Sequence, residues 1–194
     1  MQPMRNTLLP SLLTACLLSG CAGQTIKPAE SLDETTGVTV GALQEPLEFA
    51  EDPKLGAVGP DRRASFAYLG PVEWDTSGDL RYALWIHVAP GNDQAVGNIR
   101  SSGAVSLILD DGPVLLSEQD DTPKIGSNPY HPLASWGQTA YFHLDVGLLK
   151  RMAASQRLVL EFHGVEVPTV DFVPTQDVKD TLLRFEHARG ITDD

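Results

Sequence analysis

The stretch Leu80-Arg81-Tyr82-Ala83-Leu84-Trp85-Ile86-His87-Val88 decides the fold class. It holds no glycine or proline, and β-branched and aromatic residues are frequent in it. Its side chains alternate. Tyr82, Leu84, Ile86 and Val88 fall on one face, and Arg81, Ala83, Trp85 and His87 on the other. The reading is a β-strand. Immediately before it, Asp75-Thr76-Ser77-Gly78-Asp79 is a turn, and Ser65 to Trp74 reads as extended, interrupted at Gly70-Pro71. Phe66–Trp74 and Leu80–Val88 therefore form a hairpin.

Toward the N-terminus, Val38 and Val40 alternate with Gly37 and Thr39, and Leu47 to Phe49 is a further short strand. Pro53, Gly56, Gly59 and Pro60 mark a loop. Toward the C-terminus, Pro90-Gly91-Asn92-Asp93 marks another. Val105–Leu109 and Val114–Ser117 are strands joined by Asp110-Asp111-Gly112-Pro113, a strong hairpin turn because Asp111 and Gly112 tolerate positive φ. Residues 118–138 have little periodicity. A loop of that length in a compact domain is often functional or mobile, and it is where a division into two subdomains would fall.

The last third changes character. Ala140 to Asp145 is a strand, and Asp145 caps a helix with Leu148, Leu149 and Met152 on its apolar side. Leu158–His163 is a strand, with shorter pieces between Val165 and Val173. Thr175 is placed to cap a final helix, whose stripe is Val178, Leu182 and Phe185. Gly190 stops it. The order predicts a mainly β, α+β chain: an antiparallel, β-rich, sandwich-like domain with two helices in its C-terminal half.

The leader has its own logic. Met1 and Arg5 supply positive charge, Leu8 to Leu18 form an uncharged, mostly apolar run, and small residues precede Cys21. This is the layout of a secretory signal, and the run is too short to cross a bilayer. Leu18-Ser19-Gly20-Cys21 resembles the lipobox of bacterial lipoproteins at all four positions. The resemblance implies diacylglycerol on the Cys21 sulfur, cleavage before Cys21 and acylation of the new amine. It also implies sorting to the outer membrane, facing the periplasm, because Ala22 stands where the best-studied members place an aspartate for inner-membrane retention. The expected organisation is a signal over residues 1–20, a lipidated cysteine and flexible tether over 21–36, and one globular domain over 37–190. Tyr68-Leu69-Gly70-Pro71-Val72-Glu73 and Tyr82-Ala83-Leu84-Trp85 are similar to segments of proteobacterial envelope lipoproteins that have no known activity.

Cleavage removes Arg5 and no acid, so the mature chain carries 13 basic against 26 acidic residues, a formal charge of −13. Such a surface repels nucleic acid and anionic lipid headgroups. Cys16 leaves with the leader and Cys21 is the lipid site, so the domain keeps no thiol for a disulfide, a cysteine-zinc site or a nucleophile.

Sites are sparse. No serine elbow, phosphate-cradling glycine loop, dinucleotide fingerprint or H-E-x-x-H pattern occurs, and no cofactor is implied. His143, Asp145 and His163, with Glu161, would make a metal or hydrolytic site if their strands were neighbours. Otherwise they are solvated strand-face residues. Arg81, Trp85 and His87 form a face that would grip a sugar ring or a protein partner, unless a helix or second sheet covers it. Trp136 lies in the long loop, either as an exposed recognition tip or packed on the domain. The function expected is a non-enzymatic binding or envelope-assembly lipoprotein, anchored through Cys21 and meeting an envelope protein partner. The alternatives are a periplasmic hydrolase with a His/carboxylate or metal site, and a carbohydrate or peptidoglycan binder.

Overall fold

A computed structural model of the chain describes residues 26–52, 65–91, 97–126, 128–132, 134–164 and 168–191. The Leu80–Val88 stretch lies within β5 (Asp79–Ala89), and its hairpin partner is β4 (Phe66–Thr76). The two pair antiparallel along their whole length, from Phe66↔Ala89 to Thr76↔Asp79. The turn between them is two residues, Ser77 and Gly78, both at positive φ, as the right-handed twist of a hairpin requires. The Gly78 amide donates to Asp75 Oδ1 at 2.6 Å.

β4 is shared along its other edge. β3 (Leu47–Glu51) pairs with Phe66 to Leu69, and β2 (Val38–Leu43) with Val72 to Asp75. Gly70 and Pro71 fall in the gap between these two partners. The sequence reads this dipeptide as an interruption, yet the strand runs through it. A proline lacks the amide that a ladder needs, and here it stands where neither β2 nor β3 pairs.

From β3 the sheet continues through β10 (Val170–Pro174), β9 (Val159–Phe162), β6 (Val105–Leu109) and β7 (Gly112–Leu115), each pair antiparallel. On the other side β5 pairs with β8 (Gln138–His143). The two ends meet. Just after β7, Gln119 N donates to Tyr141 O at 2.8 Å and His143 N to Ser117 O at 3.0 Å, with a bridge at Glu118↔Phe142. The ring is β4-β3-β10-β9-β6-β7-β8-β5, one curled antiparallel sheet, in keeping with the mainly β, α+β class expected from the sequence. A barrel of about eight strands has an interior that side chains alone can fill. Leu47, Phe49, Ala67, Leu69, Leu84, Ile86, Leu107, Phe142, Leu160 and Phe172 fill this one.

Outside the ring, β1 (Pro28–Asp33) pairs with β2 in register Pro28↔Leu43 to Asp33↔Val38. This corrects the tether expected over 21–36: Ile26 is buried, and residues 28–33 are a strand. The stretch is polar and lacks periodicity because it is an edge strand with little to bury. What holds it is the turn that follows. The Asp33 carboxylate accepts from the Thr35 and Thr36 amides, and Gly37 takes φ +71°.

The helices α1 (Val146–Ala154) and α2 (Val178–Ala188) pack against each other. Leu148, Leu149, Met152, Val178, Leu182 and Phe185 are buried in the same core as the barrel. Asp145 caps α1, its Oδ1 accepting from Leu148 N at 2.6 Å. The cap of α2 is Asp177, which accepts from Asp180 N at 3.1 Å. Thr175, the residue expected in that role, donates to Glu48 O instead. Gly190 at φ +68° follows the end of α2. The Asp110-Asp111 turn does more than reverse the chain. Asp110 accepts from the amides of Gln156 and Arg157, and Asp111 pairs with Arg151, so the turn fastens the end of α1.

One further contact ties α2 to the sheet. Arg189 Nη1 lies 2.9 Å from Glu30 on β1 and 3.5 Å from Glu73 on β4. It passes so close over Gly41 on β2 that any side chain there would meet the guanidinium at 2.5 Å. Tyr82 hydrogen-bonds Glu73, and burial followed by that contact pushes its pKa up to about 12.

Candidate functional site

Cross-strand register places Tyr68, Gly70, Val72 and Trp74 of β4 beside His87, Trp85, Ala83 and Arg81 of β5. Thr139, Tyr141 and His143 of β8 come next on the same face. This is the outer face of the barrel, and it is not bare. The described residues between 119 and 137 cross it as a strap. Asp121 meets Arg81 at 3.6 Å, and the Gly126 amide donates to the Asp33 carboxylate. The Tyr130 hydroxyl accepts from Leu43 N and donates to Pro71 O, both at 2.9 Å. The ring of Tyr130 lies over Gly70, where a Cβ would come within 2.3 Å of it. Burial raises the Tyr130 pKa far above the ordinary phenol value. The long loop keeps its course because its anchors are atoms of the sheet or of the β1–β2 turn.

Under the strap is a layer of rings. Trp85 stacks with His87 at 5.8 Å and 20°, and meets Tyr130 at 5.1 Å. Tyr68 lies 6.1 Å from His87 on its other side, and Trp74 packs on Tyr141 at 5.5 Å. Trp85 and His87 are thus covered, and Trp85 is a core residue. Arg81 remains at the surface, paired with Asp79 and Asp121.

The strap ends in a tight turn, Ala134 to Gly137, closed by Gly137 N donating to Ala134 O at 3.1 Å. Trp136 sits on that turn with 70 % of its surface exposed. Directly beneath is the His87 ring. A Cβ on Gly137 would meet His87 Cε1 at 2.4 Å and Nε2 at 2.5 Å, so glycine is needed for the turn to seat. His87 Nδ1 is 2.8 Å from Thr139 Oγ1. Its Nε2 is buried and makes no hydrogen bond of good geometry.

Burial holds the His87 pKa below the usual imidazole value near 6.5, and the backbone of Ala134 and Gln138 offsets only part of this. An unfolded histidine binds its proton first as the solution is acidified. Neutral His87 therefore contributes stability above about pH 6.5, which is lost as pH falls toward the lowered folded value. Urea denaturation at about pH 7.5 and about pH 5.5 should show wild type losing more stability than His87→Gln. Equal losses would remove His87 as the source.

The other candidates are not brought together. His143 is on β8 and His163 follows β9, with β7 and β6 between them. Asp145 is spent as a helix cap. Among the described residues no three His, Cys, Asp or Glu side chains gather as a metal site. His163 Nε2 does lie 3.0 Å from Ser106 Oγ and 3.0 Å from Glu161 Oε1. Both oxygens address the same nitrogen. A nucleophile relay needs serine and carboxylate on opposite ring nitrogens, so this trio orders the side chains of β6 and β9 without activating Ser106. Cys21 lies outside the described residues.

No family model, curated protein or solved structure matches the chain. Sequence reasoning singled out Trp85, His87, Arg81 and Trp136 but missed Tyr130 and Gly137, which join them. Their signal is faint, since a tyrosine and a glycine in a loop have many roles. Only the facing residues, Gly70 and His87, give them meaning.

Proposed function

We propose that the protein is a lipid-anchored periplasmic lipoprotein of the outer membrane, acting without catalysis as a binding or envelope-assembly factor. The observation that carries this reading is Leu18-Ser19-Gly20-Cys21, placed after a charged and then apolar leader. Four residues separate Cys21 from Ile26, the first of the described residues and a buried one. At full extension, about 3.3–3.6 Å per residue, the link reaches roughly 17 Å. The domain is then held close to the bilayer, with much less stand-off than a tether to residue 36 would allow. Two or three acyl chains suffice for lasting attachment, since each buried methylene contributes about 0.8 kcal/mol.

Substituting Cys21→Ser is expected to release the protein from the membrane fraction and to abolish metabolic labelling with palmitate. Retention of both membrane attachment and label in the variant would refute the anchor.

A filled barrel interior suits a protein that works from its surface. The exposed Trp136 is the contact we assign to that work. An indole offers a large, rigid surface to a protein partner. The same exposure also supports the second reading, a carbohydrate or peptidoglycan binder, because an indole stacks on a sugar ring. A photo-reactive residue at position 136 in native envelopes separates the two. A discrete cross-linked protein supports the assembly role. No protein adduct, with quenching of Trp136 fluorescence by cell-wall fragments, supports the carbohydrate role.

A further inference from the structure

We infer that the Ala134–Gly137 turn is a proton-released latch, seated on neutral His87 and freed when that ring gains a charge, so that acid changes the presentation of Trp136. The inference rests on Trp136 as a contact only for its biological consequence; the latch itself is read in the free protein.

The His87 ring is buried between Trp85 and Tyr68, with Gly137 directly against Cε1 and Nε2. Protonation adds a second N–H, and a buried cation must be paired or hydrated. Among the described residues no carboxylate pairs with the His87 ring. From β4 the facing group is the Tyr68 phenol, itself held neutral by burial and by the nearby Glu48. From β5 it is Trp85, and from β8 it is the Thr139 hydroxyl, already engaged at Nδ1. From the turn, among the described residues, the backbones of Ala134 and Gln138 hydrogen-bond the charged ring but offset only part of its burial, and Gly137 lies against it. Beyond Thr139, Arg100 bonds Thr139 O at 2.8 Å and is paired with Glu118.

Water must then reach Nε2. On three sides the ring is enclosed by β4, β5 and β8, whose ladder spans Tyr68↔His87 and His87↔Thr139. On the fourth side is a turn in which, among the described residues, Gly137 N donates to Ala134 O. Opening that turn exposes Nε2 at the smallest loss of structure. Gln138, whose side chain holds Ile99 N and Gly97 O, marks where the opening stops. The working part, Trp136, rides on the piece that moves. A buried histidine under a bistable element is a recurrent way to make a surface respond between pH 5 and 8.

The test is amide hydrogen exchange by NMR on the full-length protein in detergent, corrected for the intrinsic pH dependence of exchange. From about pH 7.5 to about pH 5, protection of the Gly137 amide should fall by about tenfold or more, while Ile86 and Leu84 in β5 keep theirs. In His87→Gln, and in His87→Phe as the better-packed second variant, Gly137 protection should not change with pH. Three results would overturn the latch: unchanged Gly137 protection in wild type, an equal fall in both variants, or a fall shared by β5, which would mean global unfolding. A partner cross-link at position 136 that ignores pH would remove the regulation while leaving the contact in place.

Discussion

Arg189→Ala is expected to destabilise the protein by about 3–5 kcal/mol, the loss typical of breaking a buried ion pair from one side. The Arg189 side chain is 8 % exposed and the Glu73 side chain 9 %. Removing the guanidinium leaves the Glu73 carboxylate in a poorly hydrated site, where its Oε2 already lacks a partner. Glu30, 60 % exposed, can turn to water and adds little. The substitution also uncouples the end of α2 from β1, β2 and β4. The penalty belongs mainly to the orphaned carboxylate, and this makes a second expectation. Combining Arg189→Met with Glu73→Gln should cost less than Arg189→Ala alone, because no unpaired charge remains. Equilibrium urea denaturation measures both. A loss below about 1 kcal/mol for Arg189→Ala would mean that water reaches Glu73 and that the pair behaves as a surface bridge.

Trp85→Ala is the second large effect, at about 3–5 kcal/mol, the range for deleting a buried aromatic and leaving a cavity. Trp85 is 1 % exposed and touches rings from β5 and the strap. Its loss should loosen Tyr130 and with it the whole crossing segment. Trp136→Ala, by contrast, should change stability by no more than about 0.5 kcal/mol. The two tryptophans thus separate packing from contact. If Trp136→Ala weakens the fold as much as Trp85→Ala does, the turn is a structural clamp and the contact role is lost. Stability against about 5–15 kcal/mol in total makes either large substitution easy to see.

Much of this architecture can be read from local pattern. The β4–β5 hairpin follows from period-two alternation around an Asp-to-Gly turn. The β6–β7 hairpin follows from Asp111-Gly112, α1 from its apolar stripe and the Asp145 cap, and α2 from its apolar stripe. These signals are local, since a turn residue or a cap acts within four positions. β1 was hidden for the opposite reason: as an edge strand with polar side chains, it owes its order to β2 and to the Asp33 turn. The reading of Gly70-Pro71 as a break failed likewise, because whether a proline disrupts a strand depends on which partner stands beside it.

The candidate site divides along the same line. The Leu18-Ser19-Gly20-Cys21 stretch, the net acidic charge and the alternation placing Trp85 and His87 on one face are properties of sequence alone. Which face is covered is not. Tyr130 lies 59 residues from Pro71 and 87 from Leu43, yet its hydroxyl bonds both. Gly137 seats on a ring fifty positions earlier. Arg189 pairs with a glutamate 159 residues away. The chain by itself determined most of the strands, the two helices and the Asp145 cap. The tertiary structure alone decided that Trp85 is core, that Trp136 is surface and that His87 lies buried beneath a turn, because burial depends on which distant segment excludes the water.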